Sequence, residues 1–253
     1  MRIKCLGCDA LARMIYLSAA HSPHIVDVTM LRLGLHRKPA DLQLRLQAEI
    51  DAAQGQGYDA VVLAYALCGK ATHGLTARDV PVVVAKAHDC ITLFLGSRQR
   101  YRQQHENMPG TYWYALDYIE RGALTGEKFS LGSDMDDGRD IGDVYDEYVT
   151  KYGRDNADYL MEVMGAWRSH YQRAAFIDLG VGHSQNVEQQ ARDEAERRGW
   201  SFDRVTGDMV LVKRLLNGEW NEDFLVLQPG QKLEMSYDEE IICAIDATTK
   251  SGG

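Results

Sequence analysis

The sequence predicts an α/β protein: two Rossmann-like parallel-sheet lobes with a helical middle segment and a cleft between the lobes. Three observations carry that expectation. In residues 1–96 short apolar, β-branched runs alternate with helical stretches. That rhythm builds a parallel sheet, because a crossover helix must carry the chain back to the start of the next strand. The same rhythm returns after residue 173. Between them, residues 97–172 are rich first in aromatics and amides, then in acidic residues and glycine. The expected division is therefore an N-terminal α/β lobe over 1–96, a mostly helical middle over 97–172 and a C-terminal α/β lobe over 173–253.

RIKCLG (residues 2–7) reads as a first strand, leading into a helix over 9–20, and IVDVTML (25–31) as a second strand. Asp41, two residues after Pro39, reads as the N-cap of a helix in which Leu42, Leu46 and Ile50 recur at helical spacing. The continuous apolar runs AVVLA (60–64) and PVVVA (81–85) suit strands buried on both faces. After the middle segment, AAFIDLG (174–180) reads as a strand and residues 186–198 as a charge-laced amphipathic helix. Residues 202–205 read as a strand, 208–216 as a helix, FLVL (224–227) as a strand, and IICAI (241–245) as a last strand holding a core thiol, Cys243.

The 253 residues carry a formal charge of −9, are 45% hydrophobic and 26% charged, and contain five cysteines. An acidic balance argues against nucleic acid as a partner, since phosphate binding needs clustered Lys and Arg. No stretch approaches the roughly 20 apolar residues of a membrane span, so no membrane association is expected. The start of the chain lacks the apolar core of a signal peptide. An odd cysteine count in a chain large enough to build its own core argues against a disulfide framework, so a reducing, cytoplasmic location is expected.

The chemistry concentrates near the N-terminus, where four of the five cysteines lie within the first 90 residues. In parallel sheets, ligands bind beyond the C-terminal ends of strands. Cys8 follows the first strand, Cys68 follows AVVLA, and His88-Asp89-Cys90 follows PVVVA. Cys8, Cys68, His88 and Cys90 are therefore the candidate metal ligands. Three thiolates and an imidazole suit zinc, and also an iron–sulfur or cobalt-type site. Cys5 completes a C-x-x-C with Cys8, but side chains alternate along a strand, so Cys5 points to the other face. Asp89 reads as the cap of a helix starting at Ile91. Arg98, Arg100 and Arg102 read as a solvated helix face. Gly180-Val181-Gly182-His183 is a turn before a helix, a setting that can hold an anion, though it is not a full G-x-G-x-x-G. The candidate cofactor contacts are Gly69, Gly96, Ser97, Gly182 and His183.

Cys8, Tyr65-Ala66-Leu67-Cys68-Gly69, the run AHDCITLFLGS (87–97) and Pro109-Gly110-Thr111-Tyr112 together resemble the domain of unknown function 1638 family, most strongly from Tyr58 to Tyr112. The resemblance carries Cys8, Cys68, His88 and Cys90, and Asp9 fills the acidic place after the first cysteine; Cys5 does not match. Members of that family often lie near corrinoid proteins and trimethylamine-methyltransferase-like proteins. The resemblance thus implies one-carbon metabolism, with a corrinoid as cofactor and a corrinoid protein or methyltransferase as partner. Two readings follow, beside the plainer one of a small-molecule binding domain whose cysteines are incidental. One is a metal-dependent methyltransferase whose metal-bound thiolate acts on a small-molecule methyl donor; zinc methyltransferases that work with corrinoids also use H-x-C plus a distant cysteine. The other is a carrier or chaperone that holds an iron–sulfur cluster or corrinoid for a partner methyltransferase.

Overall fold

The computed structural model describes residues 1–68, 70–123, 149–150, 154, 171–236 and 238–248. Within them the protein is a mixed α/β structure in which parallel strand pairing predominates. β1 (Arg2–Cys8), β2 (Ile25–Leu31), β3 (Ala60–Ala64), β4 (Val82–Ala85) and a later strand, β8 (Phe224–Leu227), form one sheet in the order β2-β1-β3-β4-β8. β1 pairs in parallel with β2 from Arg2↔Ile25 to Cys8↔Leu31, and with β3 from Ile3↔Ala60 to Gly7↔Ala64. β3 and β4 are also parallel, and only β8 runs the other way, against β4.

Every residue of β3 and β4 is buried, as continuous apolar runs require when both faces are covered. One face meets α2 (Pro39–Ala52), whose Leu42, Leu46 and Ile50 share a core with Leu6, Leu63, Val84 and Leu227. Burying each of these three side chains contributes about 1.5–3 kcal/mol. Leu233 and Ile242 join that core from β9 (Gln231–Met235) and β10 (Ile242–Asp246), an antiparallel hairpin. The opposite face carries α1 (Ala12–His21), which packs against α7 (Val210–Leu216), and α7 reaches β3 and β4. Gly7 lets α1 approach: a Cβ there would stand 2.5 Å from Ile15 Cδ1.

The chain forms two compact units, Met1–Tyr101 with Leu179–Val181 and Thr206–Gly253, and Arg102–Asp178 with Gly182–Val205. In the first, α3 (Cys90–Leu95) follows β4; α4 (Arg98–Asn107) begins in the first unit and ends in the second. The second unit contains β5 (Thr111–Ala115), α5 (Leu116–Ala123), β6 (Arg173–Asp178), α6 (Gln185–Arg198) and most of β7 (Ser201–Thr206), with strand order β5-β6-β7. β5 and β6 pair in parallel. α6 lays Val187, Ala191 and Ala195 on Tyr112, Tyr114 and Phe176. Arg173 is buried, and its guanidinium bonds Asp203 at 2.6 Å and Gln104 at 2.8 Å.

Several local expectations are corrected. Lys38, not Asp41, stands at the cap position of α2; Pro39 occupies the first helical turn, where its fixed φ and missing N–H are tolerated, and Asp41 lies in that same turn. Residues 111–115, expected within a helical segment, form a strand. FLVL, expected in a C-terminal lobe, pairs with β4 of the first sheet. Cys243 is half-buried on the hairpin rather than a core thiol. Of the mostly helical middle expected over 97–172, residues 124–148, 151–153 and 155–170 lie outside the described residues. Among the described residues no helix is long and apolar enough to cross a membrane.

Candidate functional site: three thiols at one sheet edge

The order β2-β1-β3-β4 puts the C-terminal ends of β1, β3 and β4 side by side. Cys8 is the last residue of β1. Beyond the paired residues of β3 and β4 the two chains stay in register, with Leu67 N donating to Ala87 O at 2.9 Å and Cys68 N to His88 O at 3.1 Å. Cys90 is the first residue of α3. Cys8 thus ends β1, while Cys68 and Cys90 lie in the segments that leave the C-terminal ends of β3 and β4. None of the five cysteines, all of them described, forms a disulfide.

Their electrostatic influence on one another marks a shared neighbourhood. Burial pushes the Cys90 thiol well above the usual cysteine range, and negative charge on Cys68, Asp89 and Cys8 pushes it further. Burial likewise raises the Tyr65 phenol, followed by Cys8, Cys68 and Asp9. Tyr65 stands just past β3 and is 3% exposed; its hydroxyl donates to Gly7 O at 3.4 Å and hydrogen-bonds the Cys8 side chain. Cys5 points to the α1 face and is fully buried, which pushes its thiol up to about 12.

Asp89 caps α3 as the sequence predicts: Oδ1 accepts from Ile91 N at 3.0 Å and from Thr92 N at 3.3 Å. Its other oxygen accepts from the Tyr101 hydroxyl at 3.0 Å. Burial raises the Asp89 carboxyl in spite of these bonds. The His88 side chain is exposed, while its carbonyl holds Cys68. Cys68 itself has φ +47, a left-handed conformation that a side chain bearing Cβ rarely adopts. Among the described residues, no three His, Cys, Asp or Glu side chains stand in an arrangement ready to hold a metal ion.

The remaining candidates have other settings. Gly69 lies outside the described residues. Gly96 closes α3 at φ +70, with Asp208 so near that a Cβ would meet its Cβ at 2.7 Å and its carbonyl at 2.9 Å. Ser97 Oγ accepts from Arg100 N at 3.3 Å, tying down the start of α4. Gly182 and His183 are exposed and belong to the second unit. The structure therefore brings together Cys8, Cys68, Cys90 and the His88 backbone. It adds Tyr65, which the sequence does not mark as a site residue; its one signal is its place directly after a buried strand and three residues before Cys68.

These features define a mixed α/β protein with a thiol-rich edge on its parallel sheet. The chain belongs to the DUF1638 family: the family model, described as a protein of unknown function, matches residues 30–216. That span includes Cys68, His88 and Cys90 but neither Cys8 nor the β9–β10 hairpin. No curated protein matches the chain. No solved structure matches it either.

Proposed function

We propose that this is a metal-binding protein that uses the thiolates of Cys8, Cys68 and Cys90, with His88 adjacent, in corrinoid-linked methyl transfer. The observation that carries the reading is the placement of three soft donors at the ends of three neighbouring strands. That donor chemistry fits zinc or an iron–sulfur cluster. Bound metal would supply positive charge that keeps coordinating thiols deprotonated at neutral pH. The chain's own residues do the rest. The β-sheet fixes the three backbones, Tyr65 holds Cys8 by a hydrogen bond, and Asp89 anchors Cys90 at the start of α3.

A second reading is a carrier that holds an iron–sulfur cluster or corrinoid for a partner methyltransferase. It would require the exposed His88 ring to turn in and join the three thiolates as a complete tetrahedral shell that leaves no position for substrate. Gly69, next to Cys68, is a proposed cofactor contact in both readings, and a cytoplasmic setting suits both.

The test is elemental analysis with an absorption spectrum on untagged protein purified without oxygen, against a Cys68→Ser, Cys90→Ser variant. About one zinc per chain, lost in the variant, is expected for the methyl-transfer reading. Iron with a broad visible band, also lost, selects the carrier. No metal in either protein sinks both.

A further inference from the structure

The loop that follows Cys68 is sewn to a hairpin more than 150 residues further along the chain. Gly74 N donates to Leu233 O at 2.7 Å, Leu233 N to Leu75 O at 2.9 Å, Ala77 N to Gln231 O at 2.9 Å and Gly230 N to Ala77 O at 3.1 Å. Thr76 and Lys232 form an antiparallel bridge. The loop thus lies along β9 through one antiparallel bridge and its flanking backbone bonds. On its other side α2 holds it: Thr76 N donates to Gln47 Oε1 at 2.8 Å, Gln47 Nε2 to Thr76 O at 3.2 Å, and Gln43 Nε2 bonds His73 O. Ala71, Leu75 and Ala77 are buried in the same core as Leu233 and Ile242. A half-buried side-chain link joins loop and hairpin, His73 Nε2 to Glu234 Oε1 at 2.5 Å, and the same oxygen accepts from Met235 N at 3.1 Å.

Cys68 lies between this seam and its own bond to His88 O. It holds φ +47, and Lys70 holds φ +80. Left-handed backbone at residues with a Cβ persists only where the surroundings over-determine it. Two fixed ends only a few residues apart supply that constraint. A chain segment opening locally at the weaker end would relax it.

We infer that Glu234 is a positioning residue for Cys68: through His73 it pegs the loop to the β9–β10 hairpin and so holds the Cys68 thiol at the sheet edge. The inference rests on the reading of Cys68 as a functional thiol. The hairpin lies beyond the residues that the family model matches, whereas His73 lies within them. Cys243 stands opposite Glu234 on the hairpin, so its reactivity is no control.

The test is residue-resolved alkylation by iodoacetamide, followed by mass spectrometry on the full chain, with metal content read on the same preparation. In Glu234→Ala, Cys68 is expected to react about threefold faster or more, with Cys5 and Cys8 unchanged. Glu234→Gln, which keeps a hydrogen bond to His73, should restore the native rate. His73→Ala, which removes the peg from the loop side, should reproduce the alanine effect and serves if Glu234→Ala does not fold. An unchanged Cys68 rate, or a rise shared by Cys5 and Cys8, overturns the inference. Because alkylation needs no metal, an absent metal would remove the proposed function and leave this result standing or falling by itself.

Discussion

At the scale of single residues the site separates two cysteines three positions apart. Cys5 and Cys8 look alike in sequence, and only strand alternation tells them apart, placing Cys5 against α1 and Cys8 on the other face. Burial raises the Cys5 thiol from 9.0 to about 12, which has a consequence for stability. A group whose folded pKa is raised contributes fully below its unfolded value, and that contribution fades as pH rises from about 9 toward 12. By pH 10 the loss is on the order of 1 kcal/mol, because the unfolded chain ionises Cys5 and the folded one does not. Urea unfolding at pH 7.5 and pH 10 should therefore show a larger drop for the wild type than for Cys5→Ala; equal drops would contradict this account. Tyr65 was not legible in the same way. A tyrosine after an apolar run reads as core, and it is core, but its hydroxyl is turned to Gly7 O and the Cys8 side chain. Which way a buried polar tip points depends on partners that the local sequence does not contain. His88 shows the same limit, since its spacing from Cys90 is visible but the exposure of its ring is not.

At the scale of elements, the strands under the site were readable where burial is complete. AVVLA and VVVA have no polar face, so no helix period competes with the strand reading. β5 (TYWYA) was missed because its aromatics adjoin amide-rich and acidic stretches that suggest helix, while its pairing with β6 lies about 60 residues away. β9 (QKLEM) was missed because only Leu233 of it is fully buried. Helix α3 was legible at its start, from the Asp89 cap, and the glycine at its end has a reason beyond its own conformation. Gly96 at φ +70 lies under Asp208, whose N–H donates to Phe94 O at 2.9 Å and brings the chain before α7 against the end of α3. Gly96→Ala adds left-handed strain and presses a methyl into backbone that cannot swing aside. Destabilisation of about 1–3 kcal/mol is expected, read as a lower melting temperature. An unchanged melting temperature would mean that the α3–Asp208 approach is looser than the 2.7 Å contact implies.

At the scale of the whole molecule, the candidate site is a property of strand order. That three segments end in soft donors is visible in the sequence. That β1, β3 and β4 are neighbours depends on crossovers whose routing is long-range, as does the closing of the sheet by β8, which joins β4 from about 140 residues downstream. A site made by topology couples to the stability of the sheet that makes it. Anything that binds the three thiols in the folded chain alone must stabilise that chain by RT ln(1 + [L]/Kd), about 4 kcal/mol at a thousandfold excess over Kd. For a chain of this size such a gain lifts the melting temperature by roughly 10 °C. Zinc added to metal-free, reduced protein is therefore expected to produce a rise of that order, reversed by a chelator. In the Cys68→Ser, Cys90→Ser variant two of three thiolates are gone, and the rise should vanish. An equal rise in the variant would place zinc elsewhere, on the exposed carboxylates and histidines of an acidic surface. No rise in either protein would mean that the three strand ends, though adjacent, do not close on zinc. A wild-type rise that the variant lacks would tie the metal to the one feature that strand order alone assembles.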